Sequence, residues 1–229
     1  MTISRGFQTH RSASDDRHEY RSVFRRQVFE LLRRGYERLD FLAFQDSEEE
    51  DITGELIREI RNVTEDRSSP SWAQRYAIHD DPKINSPGRL GKRRLRLDIE
   101  FERTGTSEQG DGKHPRYPFE AKRLSSQTHA KMDKYLGTDG LRQFLSGNYA
   151  SEQDEAGMLG YVQSEKPSDW ARKAHDKFIK ETELLQLCFD GNLKRVDNLA
   201  NFDNCYRSKH NRPSVGKPIT LFHVFFSFC

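Results

Sequence analysis

Long apolar runs are missing from this chain. None approaches the roughly 20 residues that a helix needs to cross a bilayer, so no transmembrane helix is expected. The N-terminal stretch, with Arg5, Arg11 and Asp15-Asp16, lacks the apolar segment of a secretory signal. Cysteine is sparse. Cys188, Cys205 and Cys229 are widely spaced with no CxxC, which offers no zinc site and suits a reducing, cytoplasmic setting. Net charge is nearly absent as well. Lys and Arg number 38 against 36 Asp and Glu, so a nucleic-acid surface has to arise from uneven charge rather than from the total. HExxH, GxGxxG and GxSxG do not occur, which leaves zincin, dinucleotide-binding and esterase readings without support. Gly88-Arg89-Leu90-Gly91-Lys92-Arg93 is not a Walker A loop: its second glycine comes too early and no Ser or Thr follows the lysine. No internal repeat is evident.

What is present is charge. Of 229 residues 32% are charged and only 34% hydrophobic, so the core must be economical and the surface ionic. The length suits one domain with added tails: a flexible segment over 1–18 and a single domain over 19–229. Residues 19–44 read as a packing helix, with Tyr20, Val23, Phe24, Val28, Leu31 and Leu32 at helical spacing. Ser47 is placed to cap a second helix whose first turn holds Glu48, Glu49 and Glu50, acids that suit the positive end of the helix dipole. Ile52, Leu56, Ile60 and Val63 form its apolar stripe. Trp72 to Ile78 is a candidate first strand.

Further on, residues 128–147 read as helix, in two pieces if Gly137 and Gly140 interrupt it, with Gly147 as its end. Ala156 to Val162 is a buried central strand. Residues 168–189 read as a helix capped by Ser168, and 218–228 as a last strand. His223 in that strand is expected to be a core histidine. The stretch Tyr206, Arg207, Lys209, His210 and Arg212 is either a solvated loop or a nucleic-acid contact. His210-Asn211 has no partner histidine arrangement that would make it part of an HNH site.

Two segments alternate like half-buried strands. In Arg93 to Phe101, Leu95, Leu97, Ile99 and Phe101 share one face and Arg96, Asp98 and Glu100 the other. In Tyr117 to Lys122, Tyr117, Phe119 and Ala121 oppose Glu120 and Lys122. The polar, glycine-rich stretch 104–116, with Asp111 and His114 as turn residues, joins them as a long hairpin. Adjacent strands would bring Asp98, Glu120 and Lys122 together. Two carboxylates can hold a hard divalent cation through oxygen, and a lysine beside them can orient or deprotonate a water. That set suffices for metal-assisted phosphodiester cleavage.

Asp98 followed by Glu120-Ala121-Lys122 resembles the PD-(D/E)xK nuclease superfamily, over a motif core of about 48–165. Leu97 stands where the motif name has proline. The resemblance implies a restriction-endonuclease-like α/β (α+β) fold, a mixed central sheet flanked by helices. It implies Asp98 and Glu120 as ligands of Mg²⁺ or Mn²⁺, with Lys122 assisting the water. It also implies a helix glutamate at the site: Glu49, with Glu59 as substitute and Glu55 further round. A polar residue from the helix after the ExK strand is expected too, with Gln143 as candidate. The basic loop with Lys83, Arg89, Lys92, Arg93, Arg94 and Arg96 leads into the Asp98 strand and could hold phosphates, or could simply aid solubility.

The expected activity is metal-dependent hydrolysis of nucleic acid, DNA favoured, and the resemblance extends to restriction or anti-phage defence. The rival is a catalytically inactive nucleic-acid-binding or scaffold subunit. A protein partner or homo-oligomer suits either.

Overall fold

The computed structural model describes residues 13–83, 95–105, 114–127 and 131–229. Arg89, Lys92, Arg93, Arg94 and Asp111 lie outside the described residues. Among these residues seven strands form one mixed sheet in the order β1-β2-β3-β4-β7-β6-β5. They are β1 (Tyr76–Asp80), β2 (Ile99–Arg103), β3 (Arg116–Leu124), β4 (Glu155–Val162), β5 (Lys194–Arg195), β6 (Cys205–His210) and β7 (Ile219–Ser227). β3, β4 and β7 run parallel at the centre, and the other pairings are antiparallel. Helices α1 (Ala13–Tyr36) and α2 (Glu49–Glu65) pack on one face. Helices α3 (Met132–Leu136), α4 (Leu141–Leu145) and α5 (Pro167–Lys180) pack on the other. Among the described residues no helix is long and apolar enough to cross a membrane.

The mixed α/β architecture follows from the hydrophobic patterns. Val28, Leu31, Leu32, Ile52, Leu56 and Ile60 are fully buried at i, i+3 and i+4 spacing and press α1 and α2 onto the sheet. β4 is central and apolar on both faces, as a parallel strand covered by helices must be. At Gly157 a Cβ would come within 2.0 Å of the Phe119 ring, so glycine there lets β3 and β4 pack closely.

Several local expectations are corrected. α1 begins at Ala13, inside the segment taken as flexible, and stops at Tyr36; a short 3-10 helix then covers Phe41–Phe44. Ser47 does not cap α2. The N-cap is Glu48, without a side-chain cap, and the Ser47 hydroxyl turns back to the Ala43 carbonyl. Trp72 to Arg75 is not strand: Ala73–Arg75 is a 3-10 turn, after Pro70 has set the backbone. The N-cap of α5 is Lys166 rather than Ser168, because Pro167 occupies the first helical position and the Asp169 carboxylate accepts the Lys166 backbone N–H at 3.4 Å. Its helix ends at Lys180, 181–186 are turns, and Leu187 bridges to His210. The helical stretch after β3 does split at Gly137 and Gly140, and Gly147 follows α4 with a φ of 74°.

The largest correction concerns Leu95 and Leu97. They do not share a layer with Ile99 and Phe101. Ile99 and Phe101 join the α1–α2 core, whereas Leu97 and Leu95 pack with the α3–α5 core. A bend at Asp98 breaks the pleat, so the leucines before it fall on the opposite layer.

Candidate active site

β2 and β3 pair antiparallel with Ile99 opposite Phe119 and Phe101 opposite Tyr117. Continuing that register by one residue sets Asp98, at the bend, opposite Glu120. The Asp98 carboxylate accepts the backbone N–H of Ala121 at 2.6 Å. On β3, Glu120 and Lys122 alternate with the core residues Phe119 and Ala121 and so stand on the other face.

Three carboxylates converge on one ammonium. Lys122 Nζ lies 2.8 Å from Glu120 Oε1, 2.8 Å from Glu49 Oε1 and 3.9 Å from Asp98 Oδ2. Glu120 and Lys122 are nearly enclosed, their side chains 5% and 12% exposed. Of the three helix glutamates considered, Glu49 is the one that reaches this cluster. Glu55 and Glu59 both turn to Arg58. The second oxygen of Glu49 accepts the backbone N–H of Arg123 at 3.0 Å, so Glu49 ties the first turn of α2 to β3. Gln143 is not brought in: its amide donates to the Thr138 carbonyl and accepts from Asn148.

Electrostatics follow from the crowding. Burial raises the Asp98 carboxyl to about 6, the Lys122 charge and the Ala121 N–H hold it down, and the Glu49 charge pushes it up again. Glu120 is driven well above the usual carboxylate range, first by burial and then by the Asp98 charge. Burial works against the charge on Lys122, but the Glu120, Asp98 and Glu49 carboxylates outweigh it and raise its pKa. Lys122 is therefore a fixed cation here. Tyr149, packed on Phe144, is the neighbouring phenol; burial and then the Glu120 and Asp98 charges hold it protonated.

The neutralisation is incomplete. Among the described residues Glu120 Oε2 is buried with no hydrogen-bond partner. As carboxylates, Asp98 and Glu120 both lack a donor for the contact between them, and a proton or a cation would fill it. Among the described residues no group of three or more His, Cys, Asp and Glu side chains is arranged as a metal cage, because the three acids surround Lys122. The orphaned oxygen and the hard oxygen donors nonetheless fit a divalent cation held by Asp98 and Glu120.

Residues invisible to the sequence pattern hold this arrangement. The Gln163 side-chain amide, just after β4, donates to the Phe44 and Ser47 carbonyls at 3.0 and 2.8 Å. Arg123 donates to the Ser47 carbonyl at 3.0 Å and pairs with Glu48 at 2.6 Å. Together they pin the approach to α2, so that Glu49 is delivered to Lys122. Arg123 adjoins the ExK segment and could have been suspected; Gln163 offers no sequence signal, because its partners are more than 100 positions away.

The basic-aromatic stretch near the C-terminus is strand β6 and the turn after it, not a loop. Its members separate by burial. His210 and Arg212 are enclosed, and Arg212 donates to the carbonyls of Ala150, Gln153 and Lys217. His223 is a core histidine, as expected, in a hydrogen-bonded chain. His210 Nδ1 meets the Leu185 carbonyl at 2.6 Å and His210 Nε2 meets Ser208 Oγ at 2.7 Å; Ser208 Oγ meets His223 Nε2 at 2.8 Å and His223 Nδ1 meets the Tyr135 hydroxyl at 3.0 Å. Leu185 O can only accept, so His210 carries its proton on Nδ1. Ser208 then donates to His210 Nε2, His223 donates to Ser208, and Tyr135 donates to His223 Nδ1. One proton order satisfies every atom with both rings neutral.

Compared with protein-family models, with curated proteins and with solved structures, the chain matches none.

Proposed function

We propose that this chain is a Mg²⁺- or Mn²⁺-dependent nuclease of the PD-(D/E)xK kind, hydrolysing phosphodiester bonds with DNA as the favoured substrate. The observation that carries the reading is the convergence of Asp98, Glu120 and Glu49 on Lys122, with Glu120 Oε2 left unpartnered among the described residues. The mixed sheet with its parallel centre supports a restriction-endonuclease-like fold. Asp98 and Glu120 would hold the cation, which when bound supplies Lewis acidity to a water and to the phosphate. Lys122 orients the water and offsets charge developing on the phosphate. Its raised pKa argues against service as a general base. Glu49 orients Lys122. A cytoplasmic role in restriction or anti-phage defence, with a protein partner or as a homo-oligomer, extends the same reading.

One observation favours the second reading, a binding or scaffold subunit without catalysis: the Lys122 ammonium already pairs with the carboxylates that a metal would need. Incubating the chain with plasmid, linear DNA and RNA separates the two, with Mg²⁺, with Mn²⁺ and with chelator. Metal-dependent cutting that Asp98→Asn abolishes supports the nuclease. Binding without cutting under every metal condition supports the scaffold.

A further inference from the structure

We infer that Lys194, Arg207 and Lys209 form a docking surface for the phosphate backbone of nucleic acid, separate from the carboxylate cleft. The inference rests on the nucleic-acid reading above and gives it a second, non-catalytic contact. Strand parity sorts the basic stretch of β6. Ser208 and His210 point into the core, so Arg207 and Lys209 share the opposite face. β5 pairs with β6 so that Lys194 lies directly opposite Arg207. Arg207 is opposite Phe222 of β7 and Lys209 opposite Thr220, which puts all three cations on the sheet face that carries α1. All three are exposed.

Cross-strand partners stand about 5 Å apart and i, i+2 neighbours about 7 Å apart at the backbone. Three cations thus occupy one small patch, where Lys194, Arg207 and Lys209 line a single shallow depression with Asp190, Asn192 and Thr220. Among the described residues no carboxylate forms an ion pair with them. Arg21, Arg25 and Lys217 beyond the patch are paired with Asp154 or Glu155, whereas these three make no ion pair among the described residues, and Asp190 is the one acid in the depression. Like charges set side by side repel one another. A row of phosphates relieves that repulsion and releases counterions on binding. Phosphates carry no base identity, so a contact made through these cations is independent of sequence.

The test uses the full chain, a labelled DNA duplex and chelator, so that binding is read without cleavage. The variant Lys194→Gln/Arg207→Gln/Lys209→Gln is expected to lose about tenfold or more in affinity at low salt. Its plot of log affinity against log salt should flatten by about 2 to 3. Arg207→Lys, which keeps the charge, should stay near wild type. All three side chains are exposed, so an unchanged melting temperature should accompany the loss. Wild-type binding with unchanged affinity and slope in the triple variant overturns this surface and leaves the nuclease reading standing. Binding that depends on the three residues, in a chain that cuts nothing with any metal, upholds the surface and overturns the nuclease. Normal DNA binding with loss of an acidic protein partner assigns the patch to that partner and overturns the inference.

Discussion

Glu120 and His223 occupy the same row of one sheet face, separated by a single strand: Glu120 lies opposite Met158, and Met158 opposite His223. Both are buried, and both belong to polar clusters built from several elements. Yet the clusters differ in kind. Around His223 each donor has one acceptor, every group is neutral, and the chain ends on the Leu185 carbonyl. Around Glu120 three acids share one lysine, two of them are pushed toward protonation, and one oxygen has no partner among the described residues. The first cluster stabilises the fold as it stands. The second holds unresolved charge, which is what binding a cation or a reacting phosphate requires. Burial of a polar residue thus says little about its role; how completely its bonds are satisfied says more.

The largest expected effect breaks the charged cluster. Lys122→Ala leaves three carboxylates without their cation, and removing one partner of a buried ion pair typically costs about 3 to 5 kcal/mol. Denaturant unfolding should register that loss, and cleavage should fall to background. Millimolar Mg²⁺ should raise the melting temperature of Lys122→Ala more than that of wild type, since a cation can replace the lost charge. Absence of that difference would count against a metal at Asp98 and Glu120.

Breaking the neutral chain should cost a comparable amount of stability but leave the chemistry alone. Ser208→Ala strands His210 Nε2 and His223 Nε2, at about 1 to 3 kcal/mol each. Unfolding curves should show the loss, while metal-dependent cutting by the folded fraction stays at the wild-type rate.

Acid sharpens the comparison, because the clusters respond with opposite sign. Burial lowers His210 to about 4 and His223 to about 3. Below their ordinary value near 6.5 the unfolded chain takes up protons that the folded chain refuses, so stability falls from about pH 6.5 toward 4, by about 1.4 kcal/mol per pH unit for each ring. Asp98 is raised from 3.8 to about 6. Between those values the folded chain binds the proton more tightly, so its contribution grows as pH falls. Asp98→Asn removes that opposing slope. Its stability should therefore decline more steeply than wild type between pH 6 and 4, by up to about 1.4 kcal/mol per unit. A parallel decline in the two proteins would contradict the assignment.

Smaller effects should come from the residues that position Glu49. Gln163→Ala frees the Phe44 and Ser47 carbonyls at a cost of about 1 kcal/mol. Through the loosened start of α2 it should weaken Mg²⁺ binding in calorimetry several-fold. Glu49→Gln should reproduce that weakening with the α2 entry intact, whereas Gln163→Glu should not rescue it, because a carboxylate cannot donate to the two carbonyls.

Much of the fold was readable before any coordinates. The 3.6-residue stripes of α1 and α2, the apolar run of β4 and the alternation of β3 each reflect a local period set by burial on one face or two. Local patterns misled where a backbone event intervened. The alternation of Leu95, Leu97, Ile99 and Phe101 looks continuous, but the bend at Asp98 sends its halves to different layers. Ser47 and Ser168 look like caps, but Glu48 and Lys166 take those positions. β5 and β6 escaped notice because polar residues dominate both. At the site, alternation and spacing were enough to nominate Asp98, Glu120 and Lys122, since antiparallel pairing converts a separation in sequence into adjacency.

By itself, then, the sequence determined which residues must be buried and which acids and lysine could meet on neighbouring strands, because side-chain period depends only on local backbone geometry. Tertiary structure alone decided that Gln163 anchors the approach to α2, that Gln143 stays away, and that His210 and Arg212 are structural while Arg207 and Lys209 face solvent. These outcomes depend on contacts between segments far apart in the chain, and no local period carries that information.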